Sequence, residues 1–250
     1  MENIMKKKLL SLVLTGCLAA GLLTGCGSAG DNAKTASKSK DSYKVGICQL
    51  IQHPALDAAT EGFKAALTEK LGDKVSFDEQ NASGDSATCA TIANQFVSSG
   101  VDLILANATA PLQAAAAATN SIPILGTSVT DYATALQMDN WTGTTGTNIS
   151  GTSDLAPLAE QAAMLNELFP DAKNIGLVYC SAEANSAYQI GVVKDELTKM
   201  GYTCTEYSFA DSNDIASVVT NATSASDVLY IPTDNSAAAA TEVINNICEP

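Results

Sequence analysis

The sequence predicts an α/β protein built from two doubly wound, parallel-sheet domains. Three observations carry this expectation. Short β-branched apolar runs alternate with segments of helical apolar period along most of the chain. The alternation stops once, between residues 131 and 153, in a stretch rich in Gly, Thr and Asn, and then resumes. Polar, small-residue loops follow five of the runs, as at the carboxyl ends of parallel strands. Strands alternating with helices favour a parallel sheet covered on both faces.

The chain begins MENIMKKKLLSLVLTGCLAAGLLTGC, with three lysines, an apolar run and then small residues. That is the layout of a secretory signal, so residues 1–25 are set aside from the fold. A membrane-spanning helix needs about 20 apolar residues, and this run is broken by Thr15, Gly16, Cys17 and Gly21. LTGC occurs at 14–17 and 23–26 and resembles the bacterial lipobox, in which cleavage exposes a cysteine that carries lipid. Cys17 leaves too short an apolar run behind it, so Cys26 is the expected lipidation site. Residues 27–42 contain no Leu, Ile, Val or aromatic residue and cannot join a core, so 26–42 reads as a flexible tether. The expected location is extracytoplasmic, lipid-anchored to a bacterial cell membrane.

The first domain is expected over 43–147. YKVGICQLI (43–51) is a strand and Pro54–Leu71 a helix on Leu56, Ala59, Phe63, Ala66 and Leu67. VSFDEQ (75–80), a helix over 86–99, DLILAN (102–107), a short helix starting at PLQAA, and IPILGT (122–127) continue the series. After the irregular stretch, the second domain is expected over 148–250. It comprises a helix from Asp154 to Phe169, NIGLVYC (174–180), a helix over 185–200, YTCTEYSF (202–209), a helix over 213–223, DVLYIP (227–232) and a last helix from Asn235 to Cys248. The alanine runs at 114–118 and 237–240 are read as helix formers, without functional weight.

Composition excludes several functions. The net charge of −14 becomes −16 once Glu2 and three lysines leave with the signal, with 10 lysines facing 26 acids. Nothing here displaces counterions from phosphates, so no nucleic-acid partner is expected. There is no arginine, so a ligand carboxylate must rest on lysine, hydroxyls, amides or backbone N–H groups at helix starts. His53 is the single histidine, which disfavours a hydrolase. No P-loop, GxGxxG or metal-ligand cluster occurs, and no cofactor or metal is expected. Outside Cys17 and Cys26, five cysteines remain, an odd number without CxxC: Cys48, Cys89, Cys180, Cys204 and Cys248. They are expected as buried free thiols, with Cys180 and Cys204, at ends of neighbouring predicted strands, the one pair to check for a disulfide.

The five loops are IQHPALD, NATAP, GTSVTD, CSAEANS and PTDNS. One such loop means little, because Ser, Thr, Asp and Asn are favoured helix N-caps. Five, shared between two domains, suggest a cleft around a small polar ligand. The segments SVTD (128–131), NISGTSDLAPL (148–158), VYCSAEANS (178–186) and YIPTDNS (230–236), in that order behind a lipobox, resemble the ABC-transporter substrate-binding proteins of the tryptophan/tyrosine-type family. The resemblance spans 43–250, with EANS and PTDN its most specific parts. It implies a type I periplasmic-binding-protein fold that closes over an amino acid, often aromatic, and passes it to a membrane permease. It also implies a second domain incomplete at its C-terminus, because only three strands are visible there before INNICEP.

On matching positions the candidate ligand-binding residues are Gln52, His53, Thr109, Thr127, Ser128, Ser153, Asp154, Glu183, Ala184, Asn185, Thr233, Asp234 and Asn235. A zwitterion needs a carboxylate near its ammonium group, for which Asp154, Glu183 and Asp234 compete, although Asp154 and Asp234 also suit helix capping. The ligand carboxylate would rest on backbone N–H groups and on Thr109, Ser128 or Asn185. Tyr132, Trp141 and Tyr188 are candidates for aromatic stacking, against the ordinary reading of core packing. The expected function is solute capture for an ABC permease. The alternative is a ligand-sensing lipoprotein, or a binder of another small organic solute such as a sugar.

Overall fold

The computed structural model describes residues 41–249. The signal segment, Cys26 and the tether up to residue 40 lie outside the described residues. Among the described residues no helix is long and apolar enough to cross a membrane.

Two parallel sheets organise the chain. The first lobe runs β1 (Tyr43–Gln49), α1 (Pro54–Leu71), β2 (Val75–Asn81), α2 (Ser86–Ser99), β3 (Leu103–Asn107), α3 (Thr109–Ala118), β4 (Ile124–Val129), α4 (Tyr132–Ala135) and β5 (Ile149–Ser153). Its strand order is β2-β1-β3-β4-β5. The second lobe runs α5 (Leu158–Leu168), β6 (Asn174–Cys180), α6 (Ala184–Lys199), β7 (Thr203–Phe209), α7 (Ile215–Ala225), β8 (Val228–Tyr230), α8 (Asn235–Ala239) and α9 (Thr241–Cys248). Its strand order is β7-β6-β8.

The period of two along each strand sorts side chains to opposite faces. In β1, Val45 and Ile47 pack with Phe63 and Leu67 of α1. The other face of the sheet, through Cys48, Ile104 and Ala106, meets Phe96 of α2 and Leu112 of α3. Gly46 makes the close approach of α2 possible, since a Cβ there would stand 2.7 Å from the Phe96 ring. The second lobe repeats the plan, with Ile175 and Leu177 under α5 and α6 and Val178 and Cys180 under α7.

Several boundaries differ from expectation. The stretch 131–153 is not wholly irregular: α4 lies at its start, and β5 pairs with β4 in the first sheet, Ile124 opposite Ile149. The first sheet therefore extends past residue 148, to Ser153. This edge strand is exposed beyond Ile149, so it lacks the apolar alternation by which strands are recognised. The helix expected from Asp154 begins at Leu158, behind Pro157, and the last helix breaks at Ala240 into α8 and α9. The pair Cys180 and Cys204 is not bridged. Register puts Cys180 opposite Phe209 and Cys204 opposite Ile175, five residues apart and so about 16 Å along the strands. All five described cysteines are free thiols; Cys204 is half-buried and Cys248 exposed, against the expectation of burial.

Candidate functional site

In each sheet the chain winds outward in two directions from its first strand, and the crevice beside that strand is where open α/β sheets receive ligands. The switch lies between β1 and β3 in the first lobe and between β6 and β8 in the second. His53 and Thr109 stand at the first switch; Glu183, Asn185 and Asp234 stand at the second.

The first switch rests on buried polar residues that the sequence reading passed over. Gln49 and Asn107 end their strands in register with each other. Gln49 Nε2 donates to the Ile51 carbonyl at 3.0 Å and to Asp57 at 2.7 Å, and its Oε1 accepts from Thr60 at 2.7 Å. Asn107 Nδ2 donates to the Leu56 carbonyl at 2.8 Å and to Thr60 at 2.9 Å. These bonds hold the 50–53 loop and the start of α1 to the ends of β1 and β3. A polar residue closing an apolar strand, as in GICQ and LILAN, is the signal that points to them.

Directly beyond, α3 starts without a side-chain cap. Its N-cap is Ala108, at φ 105° and ψ 170°, an unfavourable backbone for a residue bearing a Cβ. Ser128, near the end of β4, is also left-handed at φ 55°, and Ala108 N donates to the Thr127 carbonyl at 3.0 Å. Among the described residues, the Thr109 hydroxyl and Asn107 Oδ1 are buried without a hydrogen-bond partner. Burying an unpaired polar group costs about 1–3 kcal/mol, and the first amides of a helix have no partner within it. The Thr109 hydroxyl and the Thr109 and Ala110 amides are therefore donors available to an anionic or carbonyl oxygen, while Asn107 Oδ1 is an acceptor.

The second switch is the opposite. Glu183, 6% exposed, accepts from Asn235 N and Nδ2 at 3.1 and 2.7 Å, from Ser236 N and Oγ at 2.9 and 2.8 Å, and from Asn185 Nδ2 at 3.1 Å. Asp234 accepts from Cys180 N at 2.7 Å and Ala237 N at 2.8 Å. Its carboxyl group is held above the usual aspartate range by burial and then by the Glu183 charge, against the pull of those amides. Asn185 and Gln189 hold the Thr233 carbonyl at 3.2 and 3.0 Å. Glu183 and Asp234, expected to compete for a ligand ammonium group, are thus committed to the protein, with Asp234 serving as a cap.

Asp154 caps nothing. Among the described residues its carboxylate has no side-chain partner, and desolvation raises its pKa above the ordinary aspartate value. It adjoins Tyr132, whose hydroxyl is pushed up to about 12 by burial and then by the Asp154 charge. Ser153 Oγ donates to the Thr130 carbonyl at 2.8 Å. Tyr132 and Tyr188 belong to the cores of their lobes. Trp141, 41% exposed, lines a separate hollow of about 460 Å³ at the β5 edge, with Ser153.

The lobes meet across these loops. α3 and α4 pack against α6, and His53 Nε2 lies 3.5 Å from Asn235 Oδ1. Between them is a cavity of about 490 Å³ walled by Leu50, Ile51 and Ala110 from one side and Ala182, Glu183 and Ser236 from the other. His53, Thr233, Asp234 and Asn235 line a second interlobe hollow of about 490 Å³. Gln52 and Thr233 are exposed, Thr127, Ser128 and Ala184 half-buried. Gln52, Thr109, Thr127, Ser128, Asp154, Ala184 and Asn185 border neither hollow.

Comparison with known proteins agrees with this architecture. The family described as ABC transporter substrate binding protein matches residues 44–249. A tyrosine-binding protein of Clostridioides difficile (strain R20291) is 38% identical over 251 residues, covering 98% of this chain and 72% of the relative. A Streptococcus pneumonia ABC domain in complex with L-Trp is 32% identical with TM-score 0.78, covering 83% of this chain and 71% of its own. The ligand-free, open structure of a Clostridium difficile substrate-binding protein with adhesive properties is 38% identical but superposes at only 0.54, covering 82% and 70%. The fold is that of type I periplasmic binding proteins.

Proposed function

Because the chain belongs to the ABC transporter substrate-binding proteins, we propose that it captures a small amino acid, tyrosine and tryptophan among the candidates, between its lobes. It delivers that solute to an ABC permease while held at the membrane by lipid on Cys26. Proteins of this family work outside the cytoplasm. The observation that carries the reading is the uncapped start of α3, where the Thr109 hydroxyl is buried and unpartnered. In a chain without arginine, this corner supplies what a carboxylate needs: the first amides of α3, the Thr109 hydroxyl and the half-buried Ser128 beside it. The ammonium group turns toward Asp154, the uncommitted one of the three expected carboxylates.

Capture works by hinge closure, the ligand favouring the arrangement in which both lobes touch it. Two observations support reading the structure as the closed arrangement: the contacts of α3 and α4 with α6, and the better superposition on the tryptophan complex than on the more identical open protein. The test is thermal unfolding of the full chain against the twenty amino acids. Ligand at 100 times its Kd stabilises by about 2.7 kcal/mol, a rise of roughly 5–10 °C. A folded protein indifferent to all twenty overturns the amino-acid assignment. Labelling cells with a fatty acid tests the anchor: incorporation vanishes in Cys26→Ser if the assignment holds and persists if it does not.

A further inference from the structure

The pair of cysteines worth attention is not the one suggested by strand ends. Cys48 and Cys89 are 1% and 0% exposed in the same core cluster, on β1 and on the first turns of α2. Geometry brings them together. α2 runs antiparallel over β1 and is seated where Phe96 covers Gly46. Two residues up the strand on the same face is Cys48, and seven residues back along the same helix face is Cys89. The thiols lie within hydrogen-bonding reach of each other.

We propose that Cys48 and Cys89 are a disulfide-forming pair that staples α2 to β1 when the chain folds outside the cytoplasm. Both thiols are sealed from solvent in the folded lobe, so the bond forms before α2 closes over the sheet. Cys89 is the attacking group. Its place near the N-terminus of a 14-residue helix favours the thiolate while α2 is still undocked. The Cys89 thiolate attacks a disulfide oxidant such as oxidised glutathione and displaces one glutathione thiolate. Cys48, losing its proton, then attacks the mixed disulfide at Cys89 and releases the second glutathione. Two protein thiols are oxidised and one oxidant disulfide is reduced to two thiols. The cross-link closes a loop of about 40 residues, long enough for a sizeable gain.

The experiment is refolding of the reduced, denatured full chain in a glutathione redox buffer, then alkylation under denaturing conditions and peptide mapping by mass spectrometry. The expected product is a Cys48–Cys89 linked peptide, two hydrogens lighter than the reduced pair, with the oxidised protein melting roughly 5–10 °C above the reduced one. Protein kept folded and reduced throughout shows no cross-link, because the thiols are covered. Cys89→Ser, a one-atom exchange, loses both the linked peptide and the melting increment. Alkylation of both cysteines after oxidative refolding, capture of either by glutathione, or linkage of either to another cysteine overturns the proposal. The mapping is made on the unsubstituted chain, so it holds even if a variant folds poorly.

Discussion

The two switch points share a topology and differ in what their polar groups do. In the first lobe, α3 begins on a strained Ala108 with no side-chain cap and a buried hydroxyl left unpaired. In the second, α8 begins on Asp234 and its amides are taken up by Asp234 and Glu183. The same residue types therefore serve opposite ends. One corner stores unmet hydrogen-bonding capacity that a ligand can claim, and the other has spent its capacity on holding two loops together. A carboxylate in a loop at the right end of a sheet is not yet a ligand contact; what matters is whether its oxygens are already engaged.

Substituting the engaged group gives the largest expected effect. Glu183→Ala strips the partners from the Asn235 and Ser236 amides and leaves them inside the lobe contact, so unfolding free energy falls by about 3 kcal/mol, read from urea denaturation. An unchanged midpoint would mean that water replaces the carboxylate and that the contrast between the lobes is less sharp. Thr109→Val is the complementary change. It removes a hydroxyl with no protein partner, so stability is held or rises by less than about 1 kcal/mol, while affinity for the bound amino acid drops at least roughly tenfold, about 1.4 kcal/mol. Calorimetry on the variant checks both halves, and loss of stability with unchanged affinity would reverse the assignment.

The smallest effect is electrostatic. Asp234 keeps its proton to higher pH in the folded protein than an ordinary aspartate does, because of burial and then the Glu183 charge. The folded state thus binds more protons than the unfolded one between the ordinary aspartate value and the raised one. Stability from this group is fully present below that window and declines as pH rises through it. Carboxyl ¹³C titration reads the raised midpoint directly, and in Glu183→Gln it moves down part of the way, leaving the share due to burial. A midpoint that does not move in this variant would show that the two carboxylates are not electrostatically coupled.

The loop positions were legible because strand ends in a parallel alternation are marked by chemistry: NATAP, CSAEANS and PTDNS interrupt apolar runs. Less visible was β5, whose residues Ser150–Ser153 are exposed and carry no alternation. Invisible were pairings between residues far apart in sequence. Thr60 meets Asn107 across 47 positions and Asn235 meets Glu183 across 52, and no local period records such partners.

By itself the sequence determined the order of strands and helices outside 131–153, the parallel α/β class and the set of loops at the crevice. It did so because apolar period and turn chemistry are local properties, readable over a few residues. It also determined that no arginine is available to clamp a carboxylate. Only the tertiary structure decided that β5 closes the first sheet, that Glu183 and Asp234 are occupied while the Thr109 hydroxyl is not, and that Cys48 faces Cys89. Each of those is a matter of which atoms are left within reach once two distant segments have packed, and hydrogen bonds and thiol contacts act over about 3–4 Å.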